Sequence, residues 1–363
     1  MPLLPVWNRC RQHALMTGPL RTTTPVRIGL AGVGRFGQLH AAVLADCPGV
    51  ELVALADPDA EQLARVAEQT RVPILHTDAE ALINDDSLDA VVLATPDEQH
   101  AAQARSALKR GRHLFVEKPL AGSWREAQEL QHLAEASGVL LQVGMILRYE
   151  ASHRWLQRQI QTGRFGDLVS IRAQRNCSRS SFAAIADHIH TVYRTLIHDI
   201  DLVLWLSGSR VTSVMALDYR QGQHLAPQGC FVLLKLANGA IAQLESSWYV
   251  PQQAPANVLH EQWRGCIDAE LAVVGQQRTA KLQGLQTPLQ IWSDQEQQRP
   301  DLSLWPDCDG RVFGALRDQL IDFTDCVRLG QASTVAHLGT AVESLRVAEA
   351  VIEACRLGSV VAL

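Results

Sequence analysis

Six residues, Gly32-Val33-Gly34-Arg35-Phe36-Gly37, constrain this chain more than any others. They follow the short apolar run Val26 to Leu30 and precede a helical stretch from Gln38 to Asp46, so the order reads strand, glycine turn, helix. Gly32 permits the tight reversal, Gly34 lets backbone amides approach a pyrophosphate, and Gly37 allows the helix to pack closely on the strand. The start of the helix favours an anion. Three glycines can serve a tight fold alone, but the flanking strand and helix are the setting that a dinucleotide site requires.

The next strand, Glu51 to Ala56, ends in Asp57, twenty residues after Gly37. A carboxylate there accepts hydrogen bonds from both hydroxyls of an adenosine ribose and repels a 2′-phosphate, which favours NAD(H) and leaves NADP(H) as the weaker option. The alternative is that Asp57 opens the Asp57-Pro58-Asp59 turn and caps the helix from Ala60. A third strand, Ala90 to Ala94, delivers Thr95 and Pro96 to the rim where doubly wound sheets meet their ligands. His100, opening the helix that runs to Lys109, either joins that rim or is an exposed first-turn residue.

His113 to Val116 forms another strand and brings Glu117 and Lys118 to the same rim, with Pro119 fixing the backbone beyond. An ammonium group at a strand end can hydrogen-bond a substrate hydroxyl or carbonyl and stabilise a developing alkoxide; an ordinary solvated lysine is the alternative. After the amphipathic helix Trp124 to Ser137 and the strand Val139 to Val143, Gly144 and the pair Arg148-Tyr149 mark a domain boundary.

With 363 residues and 47% hydrophobic composition, the chain is long enough for two domains, a first over residues 26–147 and a second over 148–363 whose C-terminal helix can pack back on the first. Residues 1–25 read as a flexible leader, with Met16 as an alternative start and no apolar run long enough for a signal peptide or membrane span. A net charge of −5, from 33 basic and 38 acidic side chains, gives no field for a phosphate backbone, so nucleic acid is not an expected partner, nor is a membrane. Eight scattered cysteines without zinc-ligand spacing fit a reducing, cytoplasmic compartment.

The second half alternates differently. Arg154 to Gln161 is helical, Leu168 to Gln174 is a strand leading into a polar loop over Arg175 to Ser181, and further strands follow at Val211 to Leu217, Cys230 to Leu236, Ala240 to Trp248, Cys266 to Val274 and Leu289 to Trp292. Asn238-Gly239 is a hairpin signal between two of them. Such a set makes a broad sheet with one face on helices and the other available to substrate or a second subunit, as in a homodimer or homotetramer.

The helix from Thr195 to Leu206 carries the main polar cluster. Arg194, His198 and Asp201 are spaced by four and three residues and share a face. His198 suits proton transfer in alcohol oxidation or carbonyl reduction, with Asp201 orienting its ring and Asp199 the weaker candidate; a satisfied core or capping histidine is the alternative. Asp187, His188, His190 and Tyr193 form a polar approach whose spacing establishes no metal site.

In order, Gly32 to Gly37 with His40, Ala94-Thr95-Pro96 with His100, Glu117-Lys118-Pro119, Gly144 with Arg148-Tyr149, and His198-Asp199-Ile200-Asp201 resemble the glucose-fructose oxidoreductase, inositol dehydrogenase and rhizopine catabolism (Gfo/Idh/MocA) family from Val26 to about Gly358. The resemblance implies an α/β chain: a Rossmann domain for a nicotinamide cofactor, then an α/β domain with a large open, predominantly antiparallel sheet. It implies that Lys118 lies beside the substrate and that Lys118-Pro119 is a cis peptide; on the reading of the residues themselves, Arg148, Tyr149, Asp187, Tyr193, Arg194 and His198 are the candidate substrate contacts. Many of its sugar and cyclitol dehydrogenases carry an aspartate four residues before the histidine, where this chain has Arg194. That arginine disfavours imidazolium and can hold a carboxylate or phosphate, or it turns outward while Tyr193, Asp187 or Lys118 relays the proton. The expected function is an NAD(P)-dependent dehydrogenase or reductase moving hydride between nicotinamide and a hydroxyl or carbonyl carbon of a sugar, cyclitol or anionic derivative. Reduction of an imine or another non-sugar carbonyl, and a non-catalytic cofactor-binding regulator, are the alternatives.

Overall fold

The computed structural model describes residues 24–260, 263–285 and 287–363, so most of the expected leader and Met16 lie outside the described residues. The first sheet is wholly parallel. Its strands β1 (Val26–Ala31), β2 (Val50–Ala56), β3 (Ile74–His76), β4 (Ala90–Leu93), β5 (His113–Glu117) and β6 (Leu141–Gly144) stand in the order β3-β2-β1-β4-β5-β6. Helices α1 (Arg35–Ala45), α2 (Ala60–Thr70), α3 (Ala79–Ile83), α4 (His100–Lys109) and α5 (Trp124–Ser137) connect them.

The strands are apolar throughout because both faces are covered. Ile28, Leu30, Val92 and Phe115 join one core, while Val91, Leu93, Leu114 and Val116 join the other. β3 and α3, of three and five residues, are too short to leave a readable period in the sequence. The order of strands reverses between β1 and β4, which opens a crevice at their carboxyl ends.

Beyond helix α6 (Ala151–Gln161), strands β7 (Leu168–Ser178), β8 (Val211–Tyr219), β9 (Gly229–Leu236) and β10 (Ile241–Val250) form the centre of a seven-stranded sheet. Ile267–Gly275 and Thr279–Gly284 extend it past β7, and Val361–Ala362 closes the β8 edge. Only β7 and β10 run parallel; the other pairs are antiparallel.

The expected loop after Gln174 is corrected here, because β7 continues to Ser178 and pairs Arg175 with Ser246 and with Ala269. Its polar residues have tertiary partners: Arg175 meets the buried Asp199, and the Asn176 amide donates to the half-buried Glu245. Helix α7 (Ile197–Ser207) and, following α8 (Ala315–Leu329), helix α9 (Leu338–Leu357) cover the inner face, where Val214, Val232, Leu234 and Leu244 are buried. Ala341, Val342 and Leu345 of α9 join the core of the first domain, and Glu349 accepts from the backbone N–H of Trp124 at 2.6 Å.

Candidate active site

At the crevice, Gly32 has φ of +87°, and a Cβ there would lie 2.5 Å from the Ala94 carbonyl oxygen. A Cβ on Gly37 would lie 2.0 Å from the carbonyl oxygen of Gly32, so helix and strand touch as only glycine allows. Gly34 differs, since a Cβ would meet nothing within 4 Å. It is the N-cap of α1 and supplies no side chain to the helix start. The open side of the turn therefore presents backbone, which is the cradle that a pyrophosphate needs.

Asp57 closes over this turn. Its Oδ2 accepts from the Val33 amide at 2.8 Å and its Oδ1 from the Asp59 amide at 2.9 Å. The cap of α2 is Asp59, which accepts from the Gln62 amide, so Asp57 opens the turn without capping the helix. Thr95 and Pro96 stand on the neighbouring rim, where the Thr95 hydroxyl donates to Gln103 at 2.6 Å.

Two candidates for cofactor contact are structural instead. His100 is fully buried, with one ring nitrogen 2.7 Å from the Pro119 carbonyl oxygen and the other 2.9 Å from that of Thr95; it staples two rim loops. Glu117 is buried with Oε1 at 2.9 Å from His40 Nε2, and its other oxygen accepts from the Lys118 amide. A Cβ on Gly144 would lie 2.8 Å from that carboxylate, which explains a glycine there. The Lys118-Pro119 peptide is cis.

Lys118 reaches across to the second domain, and its Nζ donates to the Arg194 carbonyl oxygen at 3.3 Å. Burial, then the Arg194 guanidinium, holds its pKa down at about 8, against opposing attraction from Asp97 and Glu117. His198 is half-buried, with an Nδ1 that is shut from water and has no hydrogen-bond partner. Burial pushes its pKa well below the ordinary histidine value, and Lys118, Arg175 and Arg194 push it further. The imidazole is therefore neutral at physiological pH and able to take a proton.

The helix start departs from regular geometry in a way the sequence pattern did not disclose. Val192–Leu196 is a π-turn, a form that recurs at functional sites. Hydroxyls pin it: Thr195 Oγ1 donates to the Thr191 carbonyl at 2.9 Å and lies 2.7 Å from Ser246 Oγ, while Trp248 Nε1 donates to Thr191 Oγ1 at 3.2 Å.

Several expected substrate contacts have partners or packing of their own. Asp201 does not orient His198, because Arg148 takes both of its oxygens in the interior. Arg148 and Tyr149 are both buried, and the tyrosine hydroxyl donates to Asp322, so neither faces a substrate. Asp187 is exposed and pairs with His224 at 3.1 Å, anchoring the chain near Leu225. Tyr193 is half-buried between the two cores, and burial raises its hydroxyl to about 12. Asp199, the weaker candidate beside His198, accepts from Arg175 Nε and Nη2, each at 3.0 Å. Sequence reasoning missed Arg175; its signal was the inward phase of β7, which it shares with Ala173 and Ile171.

Residues 26–145 match the oxidoreductase family with an NAD-binding Rossmann fold, and residues 153–281 match the GFO/IDH/MocA C-terminal domain. Over 228 residues the chain is 31% identical to 4-carboxy-2-hydroxymuconate-6-semialdehyde dehydrogenase of Sphingobium sp., covering 61% of this chain and 72% of the relative. The chain belongs to the Gfo/Idh/MocA family. It is an NAD-dependent oxidoreductase. Another relative is inositol 2-dehydrogenase of Acidothermus cellulolyticus, 30% identical over 234 residues, 63% of this chain and 68% of the relative. Among solved structures, scyllo-inositol dehydrogenase of Lactobacillus casei with NAD(H) and scyllo-inositol superposes with a TM-score of 0.78 at 20% identity, covering 93% of this chain and 99% of that one. This likeness shows that the family fold extends over nearly the whole chain.

Proposed function

We propose that the protein moves hydride between NAD(H) and a carbinol or carbonyl carbon of a sugar, cyclitol or derivative. The observation that carries this reading is the approach of Lys118 Nζ to the Arg194 carbonyl, which brings the lysine of one domain to the helix start that carries His198. The inositol named as a relative's substrate supports a substrate of this kind.

Residues Gly32, Val33, Gly34, Arg35, Phe36 and Gly37 would hold the pyrophosphate, Asp57 the adenosine ribose, and Thr95 and Pro96 the border of the nicotinamide. NAD, when bound, supplies the hydride acceptor. Oxidation of a carbinol also releases one proton, and the neutral His198 imidazole is the group that receives it. Lys118 donates a hydrogen bond to the substrate oxygen and stabilises the alkoxide that develops there.

The protein works in the cytoplasm as a homodimer or homotetramer. The described cysteines are all free, and no helix among the described residues is long and apolar enough to cross a membrane. The outer sheet face supports self-association, since Met215 lies opposite Leu233 and Leu217 opposite Phe231, all four about half exposed. Incubating the purified protein with oxidised or reduced nicotinamide and a panel of sugars, cyclitols, aldehydes and imines tests the function. Reduced nicotinamide forming with a polyol supports it, whereas turnover confined to imines would overturn it.

A further inference from the structure

The buried arginines near the site are spoken for: Arg148 is held by Asp201 and Arg175 by Asp199. Arg194 is different. Its backbone carbonyl accepts from Lys118, but its exposed guanidinium makes no hydrogen bond or ion pair among the described residues. It also stands four residues before His198. A planar fork of donors without an anion therefore sits at the rim beside the two groups assigned to chemistry.

The electrostatics of the rim run the same way. Arg194 works against a proton on both Lys118 and His198, and Arg175 adds to this effect at each. Asp97 and Glu117 oppose this at Lys118, but no anion opposes it at His198, so an anionic substituent offsets there a positive field that a neutral polyol leaves in place. One free guanidinium offers one fork, which matches the two oxygens of a carboxylate.

Building on the polyol reading above, we infer that the substrate is a sugar acid, with its carboxylate gripped by Arg194 while the reacting carbinol carbon faces Lys118 and His198. The likeness to a dehydrogenase named for a carboxylated substrate accords with this, although no residue role passes from it.

The test compares matched neutral and acidic sugars on the NAD-loaded protein, D-glucose with D-glucuronate and D-galactose with D-galacturonate, plus a hexose phosphate. Calorimetry gives affinity and absorbance of reduced nicotinamide gives turnover. At least one acid is expected to bind about tenfold or more tightly than its neutral partner, with the difference shrinking at high salt. Arg194→Ala should bring the ratio near one with NAD affinity unchanged, and Arg194→Lys should restore part of it. Equal binding within both pairs, failure of both acids to bind, a preference that survives Arg194→Ala, or tighter binding of the phosphate would each overturn the inference. Turnover of the neutral sugars alone would also overturn it and leave the polyol reading standing. Acid-selective binding without turnover of any sugar would overturn the polyol reading and leave only the grip of Arg194 on a carboxylate.

Discussion

The guanidinium of Arg148 grips both carboxylate oxygens of Asp201, with Nε donating to Oδ2 at 2.8 Å, and neither side chain reaches solvent. Arg148 Nη1 also donates to the Val335 carbonyl, and Ser344 Oγ donates to Asp201 Oδ1. The pair thus ties the boundary between the domains to α7, to the chain before α9, and to α9 itself. Its place is beneath the site, where it sets how the helix bearing His198 sits against the Rossmann domain.

Removing one partner of such a pair leaves a buried charge, so Asp201→Ala is expected to cost about 3–5 kcal/mol of stability. Chemical denaturation of the variant beside the parent protein measures it. A variant of parental stability that has lost turnover would return Asp201 to a role at the imidazole.

What the sequence disclosed follows how far apart the partners lie. The glycine turn was legible because its strand, turn and helix are contiguous and each glycine answers a local steric need. Lys118 was legible because a strand ending in Glu-Lys-Pro delivers it to a known rim. Asp201 was misread because helical spacing places it near His198, while its partner Arg148 lies 53 residues back. Tyr149 likewise finds Asp322 at a separation of 173 residues. The run from Arg175 to Ser178 looked like a loop because its polarity is compensated only by tertiary contacts with Asp199, Glu245 and Cys266. Local pattern fixes period and turn chemistry; it is blind to which distant group satisfies a buried charge.

Asp57 should decide the cofactor. Its carboxylate is already oriented by the amides of Val33 and Asp59, so it meets a ribose without rearrangement and meets a 2′-phosphate with like charge. The protein is expected to bind NAD(H) more tightly than NADP(H), and Asp57→Ala to weaken NAD(H) by about 1.5–3 kcal/mol, the scale of a hydrogen bond to a charged group. Fluorescence titration of both reduced cofactors measures this, and tighter binding of NADPH by the parent protein would sink the assignment.

Lys118 should set the pH profile. Its pKa is lowered to about 8, so the ammonium is present below that value and is lost as pH rises through it. His198, shifted well below its ordinary range, stays neutral across the same interval and contributes no inflection there. Carbonyl reduction, which needs a donor on the substrate oxygen, is expected to fall as pH rises through about 8. Lys118→Ala should lower turnover by roughly a hundredfold or more and abolish that inflection. An inflection that persists in Lys118→Ala would assign the titration to another group.

The π-turn gives a sharper test, because it links geometry to that titration. The hydroxyls of Thr195 and Ser246 lie 2.7 Å apart and reach the Thr191 and Arg175 carbonyls respectively, and their two protons are shared among these three contacts, which hold the turn against β7 and β10. The turn carries the Arg194 carbonyl that receives Lys118 Nζ. Thr195→Val keeps the shape of the side chain but removes the donor, leaving Ser246 one partner fewer at a cost of about 1–3 kcal/mol. As the Arg194 carbonyl moves from Lys118, kcat is expected to fall more than KM rises, and the inflection near 8 to move. Thr195→Ser retains the hydroxyl and should recover both. A merely structural threonine would lower stability in Thr195→Val while leaving the pH profile in place, and that result would remove the π-turn from any part in positioning the lysine.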